Sequence, residues 1–300
     1  MPDWMGDGSI GFPNLGIYLD NVPKSFNIFG FSIALYGLII AIGMFTGVSL
    51  VVYIAKKEGF KPEDIYDLAL CLLIFGIIGA RLYYVAFSWD YYKNHLGSIF
   101  NIRQGGLAIY GGVIAGFLAL CVFCRIKKMK ILAVADLAVL GVLVGQIFGR
   151  WGNFTNRECF GGYTDGLLAM RLPLSAVRTS DVTPEIMEHV AAGTNYIQVH
   201  PTFLYESLFN LVLLLLILFV FWKRRKFDGE MMLCYFGGYG IGRFFIEGLR
   251  TDSLMIPSTG IAVSQLLGIV LFVVSCSIWI VLRVQYYKKM LVEKPEQEGK

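Results

Sequence analysis

The sequence predicts an all-α integral membrane protein: a bundle of seven transmembrane helices, N-terminus outside and C-terminus inside, carrying a small extracytoplasmic cap. Three observations predict it. Hydrophobic residues make up 56% of the 300 and charged residues only 16%, more apolar surface than a water-soluble fold of this size buries. Seven apolar stretches reach, or nearly reach, the ~20 residues that cross a bilayer as helix. Basic residues stand in short blocks after alternate stretches, which orients the chain.

The first stretch, Phe31–Ile54, follows an N-terminal segment, residues 1–30, in which Asp3, Asp7 and Asp20 are joined by one base, Lys24. That segment lacks the basic start of a cleaved signal peptide, so the first span is expected to be retained. Ile65–Phe87, Gly106–Phe123 and Ile131–Gly149 complete a first transmembrane region, 31–149. Phe203–Trp222, Met231–Gly248 and Ile261–Leu282 form the second, 203–282. Between them, 150–202 is too long and polar for a plain connector and reads as a loop and cap, with a short helix near Pro184–Ala192. Residues 283–300 are a cytoplasmic tail, expected to lack structure from Glu293 onward. The basic blocks are Lys56, Lys57 and Lys61, then Arg125, Lys127, Lys128 and Lys130, then Lys223–Lys226, then Arg283, Lys288 and Lys289. Placing all of them inside puts the cap outside.

Small-residue pairs at four-residue spacing (Gly43 and Gly47, Gly112 and Gly116, Gly141 and Gly145) are expected to let helix backbones approach. Five of the six cysteines lie in apolar stretches, and Cys159 has no polar-segment partner, so no disulfide framework is expected. Cys121 and Cys124 form a CxxC, but no second pair or nearby histidine completes a zinc set. No P-loop, dinucleotide fingerprint or HExxH occurs, and no cofactor or metal is expected. A net charge of +4 in topology-setting blocks gives no reason to expect nucleic acid.

An ionisable group inside a membrane is costly, about 2.5–3.5 kcal/mol at mid-bilayer, and needs a reason. Arg81, Arg150, Glu206, Arg243 and Glu247 all fall towards the outer ends of their stretches; Asp136 alone falls towards the inner end. Tyr239, Arg243, Glu247 and Arg250 share one helical face. An Arg243–Glu247 pair would merely neutralise itself, but the further arginines at one leaflet, in a lipid-accessible cavity, suit an anionic ligand, since a guanidinium grips phosphate through a planar fork. The run Gly149–Glu158 combines glycines, amides and charges and is expected to be an interfacial turn with exposed donors.

That run, Gly149-Arg150-Trp151-Gly152-Asn153-Phe154-x-Asn156-x-Glu158, closely resembles the signature of the bacterial prolipoprotein diacylglyceryl transferases. Tyr36-Gly37, Gly79-Ala80-Arg81, Gly105–Gly112, His200–Glu206 and Tyr239–Glu247 agree with the family in order and spacing. The resemblance implies transfer of the diacylglyceryl group of phosphatidylglycerol to a lipobox cysteine in the signal peptide of a preprolipoprotein, at the extracytoplasmic leaflet of the bacterial plasma membrane. It implies that Arg150 and Arg243 serve the phospholipid head group, with Tyr36, Asn153, Glu158, Tyr239 and Glu247 in the site. Arg81 is expected to bind substrate as well. Many members carry histidine, proposed as general base, where this chain has Tyr110, so Tyr110 or Glu158 is expected to assist thiol deprotonation. His200 is expected to pack the cap onto the fifth span.

A transporter is the main competing class, but transporters favour midplane charges, broken helices and internal repeats, and this chain clusters its charges at one leaflet.

Overall fold

The computed structural model describes residues 5–102, 105–257 and 259–298. Among these the α-helices in chain order are α1 Leu35–Lys57, α2 Pro62–Phe87, α3 Trp89–Tyr92, α4 Ile109–Ile126, α5 Ile131–Asn156, α6 Pro184–Glu188, α7 Thr202–Leu216, α8 Glu230–Glu247 and α9 Val263–Glu298. The strands are β1 Ile10–Phe12, β2 Ile17–Leu19, β3 Ser25–Ile28, β4 Phe31–Ala34, β5 Met170–Pro173 and β6 Tyr196–Val199. Six helices are long and apolar enough to cross a membrane: α1, α2, α4, α5, α7 extended to Arg224, and α9 as far as Leu291. The seventh expected span, α8, is helical but falls outside that group. Its glycines, tyrosines and charges, Glu230, Arg243 and Glu247 among them, lower its hydropathy.

The chain divides into two compact units. One comprises residues 48–138, the other 1–47 with 139–300. In the first, α2 packs along α4, where Gly79 lies against Gly111 and Ala115 so closely that no larger residue fits. Leu68, Leu120, Phe123, Cys124 and Val134 form its core, and Lys127 pairs with Asp64 at 2.6 Å.

In the second unit α8 lies along α9, and a Cβ added to Gly240 would stand 2.5 Å from the Gly268 carbonyl oxygen. The buried Glu230 ties the start of α8 to α9 by accepting from Trp279 Nε1 (2.9 Å) and Arg283 Nε (2.6 Å). Of the small-residue pairs foreseen, Gly43 abuts Phe148, Gly47 lies 3.1 Å (Cβ position) from the Gly141 oxygen and Gly112 lies 3.4 Å from the Gly76 oxygen. Gly116 and Gly145 meet nothing within 4 Å.

The fold is mostly helical, as expected of this membrane class, and to it the 150–202 segment and the N-terminal segment together add a four-stranded antiparallel sheet of order β2-β1-β5-β6, which the sequence did not lead one to expect. Ile10 pairs Leu19 and Met170 pairs Val199. Ile10, Phe160, Met170, Leu172, Ile186, Ile197, Val199 and Phe203 make its hydrophobic core. The short helix foreseen there is α6, capped by Thr183, whose hydroxyl accepts from Ile186 N at 3.3 Å; it stops at Glu188, short of Ala192.

Three further boundaries differ from expectation. Residues 31–34 form β4, hairpinned on β3, and the first helix starts at Leu35. The Gly149–Glu158 run is not a turn: α5 continues through it to Asn156, because its side chains find tertiary partners that outweigh weak helix propensity. The segment expected to lack structure from Glu293 continues α9 to Glu298; residues 299–300 lie outside the described residues.

Candidate active site

The last two turns of α5 place Arg150 and Asn153 on one face, three residues apart, with Arg150 Nη1 donating to Asn153 Oδ1 at 3.2 Å. The helix then reverses sharply. Arg157 (φ 57°) and Cys159 (φ 58°) both adopt the left-handed conformation, and Glu158 N donates to Asn153 O at 3.1 Å. The reversal folds the Glu158 carboxylate back against the helix end. There it accepts from Asn153 Nδ2 (3.0 Å), Asn156 Nδ2 (3.2 Å) and Arg178 Nη2 (3.2 Å). The buried guanidinium of Arg157 holds the bend by donating to the carbonyls of Thr155, Gly8 and Val22. Trp151 fixes the same helix laterally: its Nε1 donates to Ser207 Oγ at 3.2 Å, and its ring meets Phe154 and Phe203 edge-on.

α7 brings Glu206 to the centre. One carboxylate oxygen lies 2.7 Å from Arg150 Nη2 and the other 3.3 Å from Arg243 Nη1. Arg243 is held from behind by Glu247, 2.6 Å away and one turn along α8. Glu247 in turn accepts from Ser253 Oγ (2.8 Å) and Ser264 Oγ (2.5 Å), while Arg250 turns mainly to Asp252 at 2.9 Å. A polar chain therefore runs Glu158–Asn153–Arg150–Glu206–Arg243–Glu247 across α5, α7 and α8. The carboxylate side chains of Glu206 and Glu247 are 4% exposed, whereas those of Arg150 and Arg243 are 20% and 16% exposed. The anionic groups sit inside and orient the forks, and the guanidinium edges remain reachable.

Tyr36, the second residue of α1, lays its ring on Gly152, where any side chain would collide with it. Tyr239 stacks on Tyr235 at 5.7 Å between centroids, and the Tyr235 hydroxyl accepts from Gln146 Nε2 at 3.0 Å.

Two expected site residues have different surroundings. Arg81, expected at the substrate, engages all five of its N–H donors with carbonyls of Ser98, Ile99, Asn101, Gly105 and Gly106, at 2.6–3.2 Å, over the Tyr92 ring. It is a buried clamp on the loop that leads into α4, with no donor left for a lipid phosphate. Tyr110, second residue of α4, is half-exposed, and no hydrogen bond of its side chain occurs among the described residues.

Sequence reasoning named Glu206 as a costly charge but left it out of the site. The available signal was its place one turn inside the fifth span, on the leaflet that holds the arginines. Asn210, four residues further and fully buried, was missed altogether; neither of its amide atoms has a partner among the described residues. Outside the spans, burial pushes the Cys159 thiol up to about 11 and lowers the pKa of His200, whose ring nitrogen Nδ1 lies 3.2 Å from the Tyr205 hydroxyl where the cap meets α7.

These features define a multi-helix membrane protein with a half-buried, reachable arginine centre braced by buried carboxylates. Residues 23–281 match the family model of prolipoprotein diacylglyceryl transferase. The chain is 40% identical over 273 residues to a phosphatidylglycerol–prolipoprotein diacylglyceryl transferase of Finegoldia magna, covering 91% of this chain and 98% of that protein. Proteins of the same name from Clostridioides difficile (40% identity; 82% of this chain, 90% of theirs) and Acaryochloris marina (42%; 82% and 86%) are similarly close. The chain belongs to the prolipoprotein diacylglyceryl transferase family, and it is a transferase.

Proposed function

We propose that the protein transfers the diacylglyceryl group of phosphatidylglycerol to the thiol of the lipobox cysteine of preprolipoproteins, forming a thioether and releasing glycerol 1-phosphate. The observation that carries this reading is the bridge of Arg150 and Arg243 through one buried carboxylate, with both guanidinium edges reachable. The reaction is a displacement at the glyceryl carbon that bears the phosphate. The substrate sulfur forms its bond to that carbon as the carbon–oxygen bond breaks, and the electron pair leaves with the phosphate. Arg150 and Arg243 meet the growing charge with preorganised donors, and Asn153, fixed by Glu158, holds a further phosphate oxygen. Tyr36 and Tyr239 border the head group, and Glu247 keeps Arg243 in register. The thiol proton passes to the Glu158 carboxylate, directly or through water; Tyr110 can accept it only as a tyrosinate.

In this reading α8 is a seventh span, tolerated in lipid because Glu206 and Glu247 neutralise Arg243 within the protein. Counting seven spans with the basic blocks inside puts the cap, and the site beneath it, towards the extracytoplasmic leaflet of a bacterial plasma membrane. The test is incubation of the purified protein with head-group-labelled phosphatidylglycerol and a lipobox peptide. Glycerol phosphate is expected to appear only when the peptide carries its cysteine; release without peptide, or none with it, overturns the reading.

A further inference from the structure

The β3–β4 hairpin takes no part in the chemistry above, and its two faces differ sharply. The register pairs Phe26 with Ile33 and Ile28 with Phe31, which puts these four on one face. Ser25, Asn27, Ser32 and Ala34 pair on the other. The connection is the two-residue turn Phe29-Gly30, with φ 49° and 82°, the left-handed pair that closes a tight hairpin. Such turns favour asparagine or glycine at the first position. Here a phenylalanine takes it and projects its ring from the tip, 97% exposed, beside Phe31 at 74%. An exposed apolar face of this kind marks an interaction surface.

We infer that this hairpin is a membrane-contacting finger, its apolar face and Phe29 tip seated at the head-group–acyl boundary of the bilayer that α1 crosses. Continuity identifies lipid as the occupant. β4 ends at Ala34 and α1, an apolar span, begins at Leu35, so the finger grows directly from a segment already bounded by lipid. No charged residue occurs between Lys24 and Lys56. One apolar and one polar face is the pattern of an element lying in the interface plane rather than crossing it. The base is fixed: Leu35 N donates to Lys24 O at 2.9 Å, and Lys24 Nζ donates to the Ala176 carbonyl of the cap at 3.2 Å. The seated finger would set the height of the start of α1, and with it Tyr36, which rests on Gly152 of the signature helix. The inference needs only that α1 spans a membrane and stands apart from the transfer reaction.

The test uses the full chain in lipid bilayers, with Phe29→Trp and, as an internal control, Asn27→Trp on the polar face. The added emission is read as the difference from wild type, against lipids brominated along the acyl chain and against aqueous iodide. Phe29→Trp is expected to be quenched by the brominated lipid and shielded from iodide, with Asn27→Trp the reverse. Quenching of Phe29→Trp by iodide alone would place the tip in water and overturn the inference. Shielding from both quenchers would show that protein, such as a second copy of the chain, covers the tip, and overturns it equally. Equal bromolipid quenching at both positions would contradict the two-faced seating.

Discussion

Arg150 and Arg243, from helices far apart in sequence, are joined by the two oxygens of a single carboxylate, Glu206, at 2.7 and 3.3 Å. Alone, two guanidinium groups this close would repel; the shared carboxylate lets them stand together facing one ligand. Breaking one partner of such a buried set leaves an uncompensated charge, typically at a cost of about 3–5 kcal/mol. Glu206→Gln is therefore expected to lower the thermal stability of the purified protein and to reduce transfer on the order of 100-fold. Unchanged melting and unchanged transfer would show that the bridge is incidental.

Arg81 is expected to behave differently from the arginines of the site. Its five carbonyl partners make it a clamp on Ser98, Ile99, Asn101, Gly105 and Gly106, and Arg81→Gln should reduce the yield of folded protein and loosen those residues to hydrogen exchange. The surviving enzyme should keep its KM for phosphatidylglycerol. A selective rise in KM in well-folded protein would restore Arg81 to the substrate.

How much was legible in the sequence follows from where each signal is local. The long apolar helices announce themselves because a span is a composition as much as a pattern. The cap sheet does not, because strands as short as Ile10–Phe12 and Met170–Pro173 hold too few residues for alternation to register. The signature run reads locally as a turn because of its glycines, amides and charges. Trp151 on Ser207 and the aromatic contacts to Phe154 and Phe203 supply the tertiary support that keeps it helical. Arg150 and Arg243 stood out as ionisable groups in apolar surroundings; that Glu206 joins them depends on how α5, α7 and α8 pack, which spacing within any one helix cannot reveal.

Asn210 offers a stability test. A buried amide with neither atom paired costs about 1–3 kcal/mol for each unmet group. Asn210→Leu, which keeps the number and branching of the side-chain heavy atoms, should raise the melting temperature of the purified protein. A fall would mean that the amide is satisfied by a group such as bound water or lipid.

The cap carries two titrating groups with opposite expectations. Burial raises the Cys159 thiol to about 11, so alkylation of a variant retaining only this cysteine should be slow at pH 8 and accelerate only towards pH 11. Transfer should survive Cys159→Ser. Burial lowers the pKa of His200, so the folded chain binds that proton less readily than the unfolded one. This contribution to stability is complete above the ordinary histidine value of about 6.5 and is lost as pH falls below it. His200→Asn should flatten that acid limb of the melting profile; an identical limb in the variant would assign it to other groups.

Phosphate gripping by paired guanidinium groups is tested most directly by single-turnover release of glycerol phosphate from Arg150→Lys in the presence of a lipobox peptide. Lysine keeps the charge and loses the fork, so release is expected to slow on the order of 100-fold while the protein remains folded. Release at the wild-type rate would contradict direct recognition of the leaving phosphate by Arg150.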